Sequence, residues 1–400
     1  MILGFHRSHE ASVVVLDDNG RPLFAASEER FSRVKMQGGW PHRTAAHVAA
    51  RFDVSGAEAT HGGLPLRERI GREAKLAVYN AVHRRLQDVH PKRFRKLVDV
   101  AFGSTATSEA AVFPGLPRTH VDHHTCHAAS AWYPSGFDEA EIVTVDGVGD
   151  TYSARFFHGK NGRMTPRAQF FHTEFPLGHH YEYVTALLGF HPHRHAGKVT
   201  GLSAHGTLDD RLMRRLEKWL DELWSARKGR PYFFMLHSQH GSTQNDPFFE
   251  RAIRELREAR QTVFGDWSDM DVAWAIQALL EREVTRLIER VIPEIDGQPI
   301  CLAGGVFANV KLNKLVKEMG FGEIFIQPAM GDGGLAFGGP LHALGERGDL
   351  TPYRLENAYL GPEYGDDEIL RAIEAEGLAA RRYDPIEPEI ASLIADGRVV

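Results

Sequence analysis

Two short apolar runs open this chain. Residues 12–16, Ser-Val-Val-Val-Leu, are followed by the polar stretch Asp17-Asp18-Asn19-Gly20, and residues 22–26 return as a second run. An Asn-Gly pair between two such runs predicts a β-hairpin. The design recurs: Glu141-Ile142-Val143-Thr144-Val145 enters Asp146-Gly147-Val148-Gly149-Asp150, and residues 152–158 run to the turn Gly159-Lys160-Asn161-Gly162. Asn19-Gly20-Arg21 and Asn161-Gly162-Arg163 stand 142 residues apart, and at that offset Ile2-Leu3-Gly4 overlies Thr144-Val145-Asp146. Two related half-domains facing a cleft are therefore expected, with two unrelated hairpins in one sheet as the alternative.

The later pattern is that of an α/β chain. Pro299-Ile300-Cys301-Leu302-Ala303 reads as a buried strand, followed by Gly304-Gly305 and a helix over 309–319. Residues 323–326 read as a second strand, followed by a glycine-rich turn from Gly331 and a helix through Leu344. Strand, glycine turn and helix, repeated, predict α/β architecture. Residues 66–98, rich in Arg, Lys and Leu at helical spacing, predict a solvated amphipathic helix. Beyond Tyr353 the pattern predicts a hinge at Leu360-Gly361-Pro362, a helix near 366–376 and a closing strand over 397–400.

Composition narrows the class. With 400 residues, 42% hydrophobic and 25% charged, the chain has the material for two packed domains. A net charge of -6 argues against nucleic-acid binding through bulk positive charge. Cys126 and Cys301 cannot build a disulfide framework, the start carries no basic-then-apolar signal, and no run is long enough for a membrane span. A soluble, reduced, cytoplasmic protein is expected. The 22 histidines stand out because several of them cluster.

The sharpest cluster is Asp122-His123-His124-Thr125-Cys126-His127. On a helix His123 and His127 share a face and can point at one metal ion, although the same spacing suits capping or surface histidines. Cys126 reads as a small core residue. Asp146, before Gly147 and Gly149, and Asp332, within Gly331-Asp332-Gly333-Gly334, each follow an apolar strand. Two histidines and two aspartates make a mixed N/O set suited to iron, zinc or manganese. Gly304-Gly305 and residues 331–334 precede helices, whose first amides can hold phosphate, and Gly197-Lys198 adds a cation outside any P-loop pattern. Glycines 147 and 149 are read as letting backbone approach an anion. His6 and His9 would face the cleft, where a histidine can serve as base for a hydroxyl. His191, His193 and His195 predict an extended, substrate-facing loop.

Together these blocks resemble a family. Ser8-His9-Glu10-Ala11-Ser12, Glu28-Glu29-Arg30-Phe31-Ser32-Arg33, His123-His124-x-x-His127-Ala128, Thr144-Val145-Asp146-Gly147-Val148-Gly149, Gly197-Lys198-Val199-x-Gly201-Leu202, Gly304-Gly305-Val306-x-x-Asn309 and Gly331-Asp332-Gly333-Gly334 are similar to the O-carbamoyltransferases of nodulation-factor and antibiotic biosynthesis. The likeness runs over residues 1 to about 360 and implies an actin-like, two-lobed fold shared with the tRNA threonylcarbamoyl transferases. The implied domains are lobes 1–140 and 141–355, then 356–400 as a linker and the beginning of a YrdC-like domain.

By that resemblance, the lobes receive carbamoyladenylate and pass its carbamoyl group to a hydroxyl of a small acceptor. A further domain makes the adenylate from ATP and carbamoyl phosphate, with Mg2+ at the ATP step. His123, His127, Asp146 and Asp332 would hold Fe2+ or Zn2+, and His9 would be the base. Lys198, Gly201, Gly304, Gly305, Asn309, Gly331 and Gly333 would bind the adenylate. Ala196 departs from an acidic residue often found before the Gly-Lys pair. The end of the chain on 397–400 gives the expectation of a truncated second domain. A homodimer is compatible with the pattern, and neither membrane nor nucleic acid is expected as a partner. Rival readings are a tRNA threonylcarbamoyl transferase, a nucleotide-binding regulatory module and a metal-dependent hydrolase.

Overall fold

The computed structural model describes residues 1–7, 10–63, 112–226 and 247–400, the side chains of 247–250 and 252 excepted. The helix predicted over 66–98 falls within residues 64–111 and lies outside the described residues, as does His9. Two compact units divide the chain, Met1–Leu360 and Gly361–Val400.

The larger unit holds two five-stranded sheets of one design. In the first, β1 (Ile2–His6), β2 (Ser12–Leu16), β3 (Pro22–Ser27), β4 (Glu58–Gly62) and β5 (Arg118–Val121) lie in the order β3-β2-β1-β4-β5. β1, β2 and β3 pair antiparallel, while β4 and β5 join parallel. The second sheet uses β6 (Glu139–Gly149), β7 (Tyr152–Lys160), β8 (Arg163–Phe171), β9 (Ile300–Ala303) and β10 (Ile324–Ile326) in the order β8-β7-β6-β9-β10. Its first three strands are again antiparallel and its last two parallel. Strand for strand the two halves match, a duplicated α/β architecture. Every residue of β1, β2 and β9 is buried, which explains continuous apolar runs rather than alternation. The paired openings correspond as well: Gly20 and Gly162 turn their hairpins at φ of 75° and 74°. Tyr353 Oη donates to Gly20 O at 2.8 Å and Tyr133 Oη donates to Gly162 O at 3.0 Å.

Each half sends a helix to the centre from the end of its last strand. His123–Trp132 follows β5, and Leu335–Arg347 follows β10. Their close approach depends on small residues: a Cβ on Gly338 would overlap Cys126 O, and one on Gly4 would overlap Ala336 O. Trp132, Tyr133, Leu341 and Leu344 pack beside them with Ile2, Val14, Ile142 and Cys301 from the strands. The N-terminal ends of both helices, where His123 and Asp332 sit, are thereby held together.

Two expectations need correction. Residues 397–400 are not a strand. The helix Glu387–Ala395 ends at Gly397, φ 75°, with the Arg398 amide donating to Leu393 O at 3.0 Å, and Val399 and Val400 are exposed without a neighbouring strand. Residues 191–195 form a compact turn instead of an extended loop. The amides of Arg194 and His195 both donate to His191 O, at 3.2 and 3.0 Å.

Candidate functional site: a buried histidine-aspartate centre

The centre begins at the helix His123–Trp132. Asp122 caps it, its Oδ1 accepting from the Thr125 amide at 3.1 Å, and Arg155 Nη1 steadies that carboxylate at 2.6 Å. Asp150 Oδ2 takes the His123 amide at 2.9 Å. With its start fixed, the helix places His123 and His127 one turn apart, Nε2 to Nε2 3.1 Å. Asp146 brings Oδ2 to 3.4 Å from His123 Nε2 and 3.1 Å from His127 Nε2. Asp332, at the start of the turn before Leu335–Arg347, brings Oδ1 to 3.6 and 3.9 Å from the same two nitrogens. One ligand atom from each of the four lies within 4.8 Å of all the others.

The electrostatics are those of charges gathered for a cation. Burial works against a proton on His123, but the carboxylates of Asp332, Asp146 and Asp150 win and raise it to about 9. His127, fully buried, is lowered by burial in spite of Asp146, and His123 adds to the lowering. Burial pulls the Asp146 carboxyl up, and the histidines overcome it and hold it well below the carboxylate range. His127 Nδ1 is buried with no hydrogen-bond partner. Two imidazoles and two carboxylates packed this tightly fit Fe2+, Zn2+ or Mn2+.

Neighbouring groups are excluded from the set by their own bonds. His124 spends both ring nitrogens, Nδ1 on Thr144 Oγ1 at 2.8 Å and Nε2 on Tyr152 O at 3.1 Å, and burial with two adjacent histidines lowers it to about 3. Cys126 is a core residue, its thiol pushed well up by burial. Glycines 147 and 149 serve histidine rings, in place of the anion approach read from the sequence. A Cβ on Gly149 would lie 2.5 Å from His123 Nε2, and one on Gly147 3.1 Å from His179 Cε1.

The other sequence candidates are spread around this centre. Gly304, at φ 97°, donates its amide to Met330 O at 2.7 Å and passes so close to β6 that a Cβ would overlap Val145 O. A Cβ on Gly305 would meet Asp146 Oδ1 at 3.2 Å, so this turn borders the centre. The Gly333 amide donates to Glu10 Oε2 at 3.0 Å, and Gly331 lies against the same carboxylate oxygen. Lys198 and Gly201 share the short helix Ala196–Leu202, both exposed, with nothing within 4 Å of a Cβ on Gly201.

Asn309 is held by a network of its own. Oδ1 accepts from the Leu312 amide and Gln277 Nε2 at 3.1 and 3.0 Å, and Nδ2 donates to Gln277 Oε1 and Thr200 Oγ1 at 2.8 and 3.3 Å. Its hydrogen-bonding capacity is used within the protein. It caps Val310–Glu318 and ties that helix to the one carrying Lys198.

Two carboxylates were not singled out from the sequence. Glu10, next to the undescribed His9, spans from the first half to Gly333. Glu182 bridges His179 Nδ1 at 3.0 Å and His193 Nδ1 at 3.2 Å; burial pulls its carboxyl up, but the two histidines prevail and hold it well below the usual range. His179 and Glu182 are an i,i+3 pair on the helix Leu177–Leu187, a spacing that could have flagged Glu182, whereas the partner of Glu10 is remote in sequence.

A buried two-imidazole, two-carboxylate centre where duplicated sheets send their helices defines the class of protein. The family model described as carbamoyltransferase N-terminus matches residues 92–341, and the chain belongs to the carbamoyltransferase family. Nodulation protein NolNO of Sinorhizobium fredii is 30% identical over 410 residues, covering 98% of this chain and 55% of that protein. An uncharacterised Synechocystis protein is 28% identical over 421 residues, covering 100% of this chain and 67% of its own length. The chain thus spans from about half to two thirds of these relatives. Among solved structures, component A of the Acidaminococcus fermentans (R)-2-hydroxyglutaryl-CoA dehydratase aligns with TM-score 0.43 and 14% identity, over 87% of this chain and 98% of that one. HypF of T. kodakarensis aligns with TM-score 0.43 and 13% identity, over 88% of this chain and 48% of that one. No helix among the described residues is long and apolar enough to cross a membrane.

Proposed function

We propose that this chain is the transfer unit of an O-carbamoyltransferase, acting in the cytoplasm to move the carbamoyl group of carbamoyladenylate to a hydroxyl of a small acceptor. The observation that carries the reading is the convergence of His123, His127, Asp146 and Asp332 beside the Gly304-Gly305 turn, in a chain of this family. Fe2+ or Zn2+ bound there would supply Lewis acidity toward the carbamoyl oxygen.

The chain's own residues account for the remaining tasks. The glycine turns, which leave room for a ligand to approach the backbone, and the exposed Lys198 hold the adenylate phosphate and ribose. His9 takes the proton of the attacking hydroxyl. As the acceptor oxygen bonds to the carbamoyl carbon, the bond from that carbon to the phosphate oxygen breaks and AMP leaves with the electron pair. Burial of the centre keeps water from competing with the acceptor. ATP and carbamoyl phosphate are consumed elsewhere, in the part of the longer relatives that this chain does not span.

Metal-loaded protein, synthetic carbamoyladenylate and a panel of sugars, aminoglycosides and polyketides, read by mass spectrometry, test the reading. A carbamoyl mass gain on at least one acceptor, lost in His127→Ala, is expected. Hydrolysis of the adenylate with no acceptor carbamoylated would refute it.

A further inference from the structure

His6 ends β1, its ring centroid 6.3 Å from that of His123. Its ring is buried, with 5% of the residue's surface exposed, and Nδ1 lies 2.6 Å from Gly62 O on the neighbouring parallel strand. A carbonyl only accepts, so Nδ1 carries a hydrogen and, in the neutral ring, Nε2 presents a bare lone pair. That nitrogen is buried with no hydrogen-bond partner, and it faces Asp332 Oδ2 across 3.6 Å.

Asp332 therefore has two electron-rich neighbourhoods. Oδ1 faces His123 and His127, and Oδ2 faces His6. A buried imidazole lone pair with no hydrogen-bond partner among the described residues, held against a carboxylate oxygen, costs free energy unless a cation shares both. Donors on one ion at about 2.1 Å stand roughly 3.0 to 3.4 Å apart, close to the separation seen. The Gly62 bond fixes the orientation of the ring, which is the arrangement found behind metal-ligating histidines, whose second nitrogen donates to a carbonyl or carboxylate.

We propose that His6 is an additional metal-contacting residue, joining the ion from the first sheet while His123, His127, Asp146 and Asp332 hold it from the helix and the second half. The inference rests on the metal centre proposed above and extends it to a three-imidazole set. One consequence is mechanical: the ion links β1 of the first sheet to β6 of the second.

Two substitutions separate the roles of the ring nitrogens. His6→Asn keeps an amide near Nδ1 that can donate to Gly62 O but removes Nε2, whereas His6→Gln places its amide near Nε2. Zn2+ and Co2+ are loaded into the full chain and into each variant. X-ray absorption counts the imidazoles, the Co2+ visible spectrum reports coordination, and chelator competition gives affinity.

Three imidazoles in the unmutated chain and two in His6→Asn are expected, with a changed Co2+ spectrum and affinity weaker by about 10- to 100-fold. Two imidazoles in the unmutated chain, with affinity unchanged in His6→Asn, would overturn the inference while leaving the four-residue centre intact, His6 then being only an ion-pair partner of Asp332. A chain that takes up neither ion would overturn the underlying metal reading as well. If His6→Asn fails to fold, the imidazole count of the unmutated chain and the spectrum of His6→Gln decide the matter.

Discussion

Gly149→Ala adds one methyl group directly against the centre. The new Cβ would stand 2.5 Å from His123 Nε2 and closer still to carbons of the ring, where ordinary contact begins at about 3.4 Å. Gly149 is buried at the end of β6 and paired with Tyr152, so the backbone has little room to retreat and the ring must move. The required shift of Nε2 is about 0.9 Å, several times the roughly 0.2 Å tolerance of a metal-ligand bond. His123 should drop out as a ligand although no ligand has been mutated. Overpacking of this kind costs about 1–3 kcal/mol, so the variant should still fold. Chelator competition should show metal affinity weakened at least tenfold, with thermal unfolding of the metal-free protein lowered modestly. Unchanged metal affinity in a folded Gly149→Ala protein would refute the placement of His123.

Three further outcomes follow from the same coordinates. Gly201→Ala, in an exposed helix with nothing near its Cβ, should stabilise the protein by about 0.5–1 kcal/mol; if adenylate backs onto this helix, binding of carbamoyladenylate measured by calorimetry should weaken at the same time. Glu28 is buried and accepts from the Arg43 amide, the Thr44 amide and Thr44 Oγ1 at 3.0, 2.9 and 2.7 Å, so Glu28→Ala should cost about 2–4 kcal/mol in denaturant unfolding, and a loss below about 0.5 kcal/mol would count against its capping role. His180 is lowered to about 3 by burial and by His179, and burial also lowers His172 and His342. Unfolded, these rings protonate near 6.5. The contribution of these three rings should therefore be full above that pH and lost on acidification, that of His180 by up to about 1.4 kcal/mol per unit as pH drops from 6.5 toward 3. A thermal midpoint that stays flat from pH 7 to 5, or a slope unchanged in His180→Gln, would contradict this.

The legible parts of the sequence were those governed by local rules. The Asn-Gly turns at 20 and 162 require left-handed backbone, and the run entering the first of them is buried on both faces, so hairpins, repeat and sheet class are all visible in the pattern. His123 and His127 are legible because a helix places such a pair on one face. Other features depend on neighbours that no spacing encodes. The Asp146 glycines could be noticed but not explained, since the rings they accommodate belong to residues 123 and 179. The bonds of Gln277 and Thr200 to the Asn309 amide join residues 32 and 109 positions apart in sequence, beyond the reach of any local pattern. Val399-Val400 carries strand propensity without any strand to pair with, and tertiary context overrides propensity of that kind.

The most direct test of the account is an anomalous-difference map from crystals loaded with Fe2+ or Zn2+, collected at the absorption edge of the metal. The account expects one strong peak enclosed by His123 Nε2, His127 Nε2, Asp146 Oδ2 and Asp332 Oδ1. Strong peaks elsewhere with none at this point, the four side chains remaining as they are here, would contradict it.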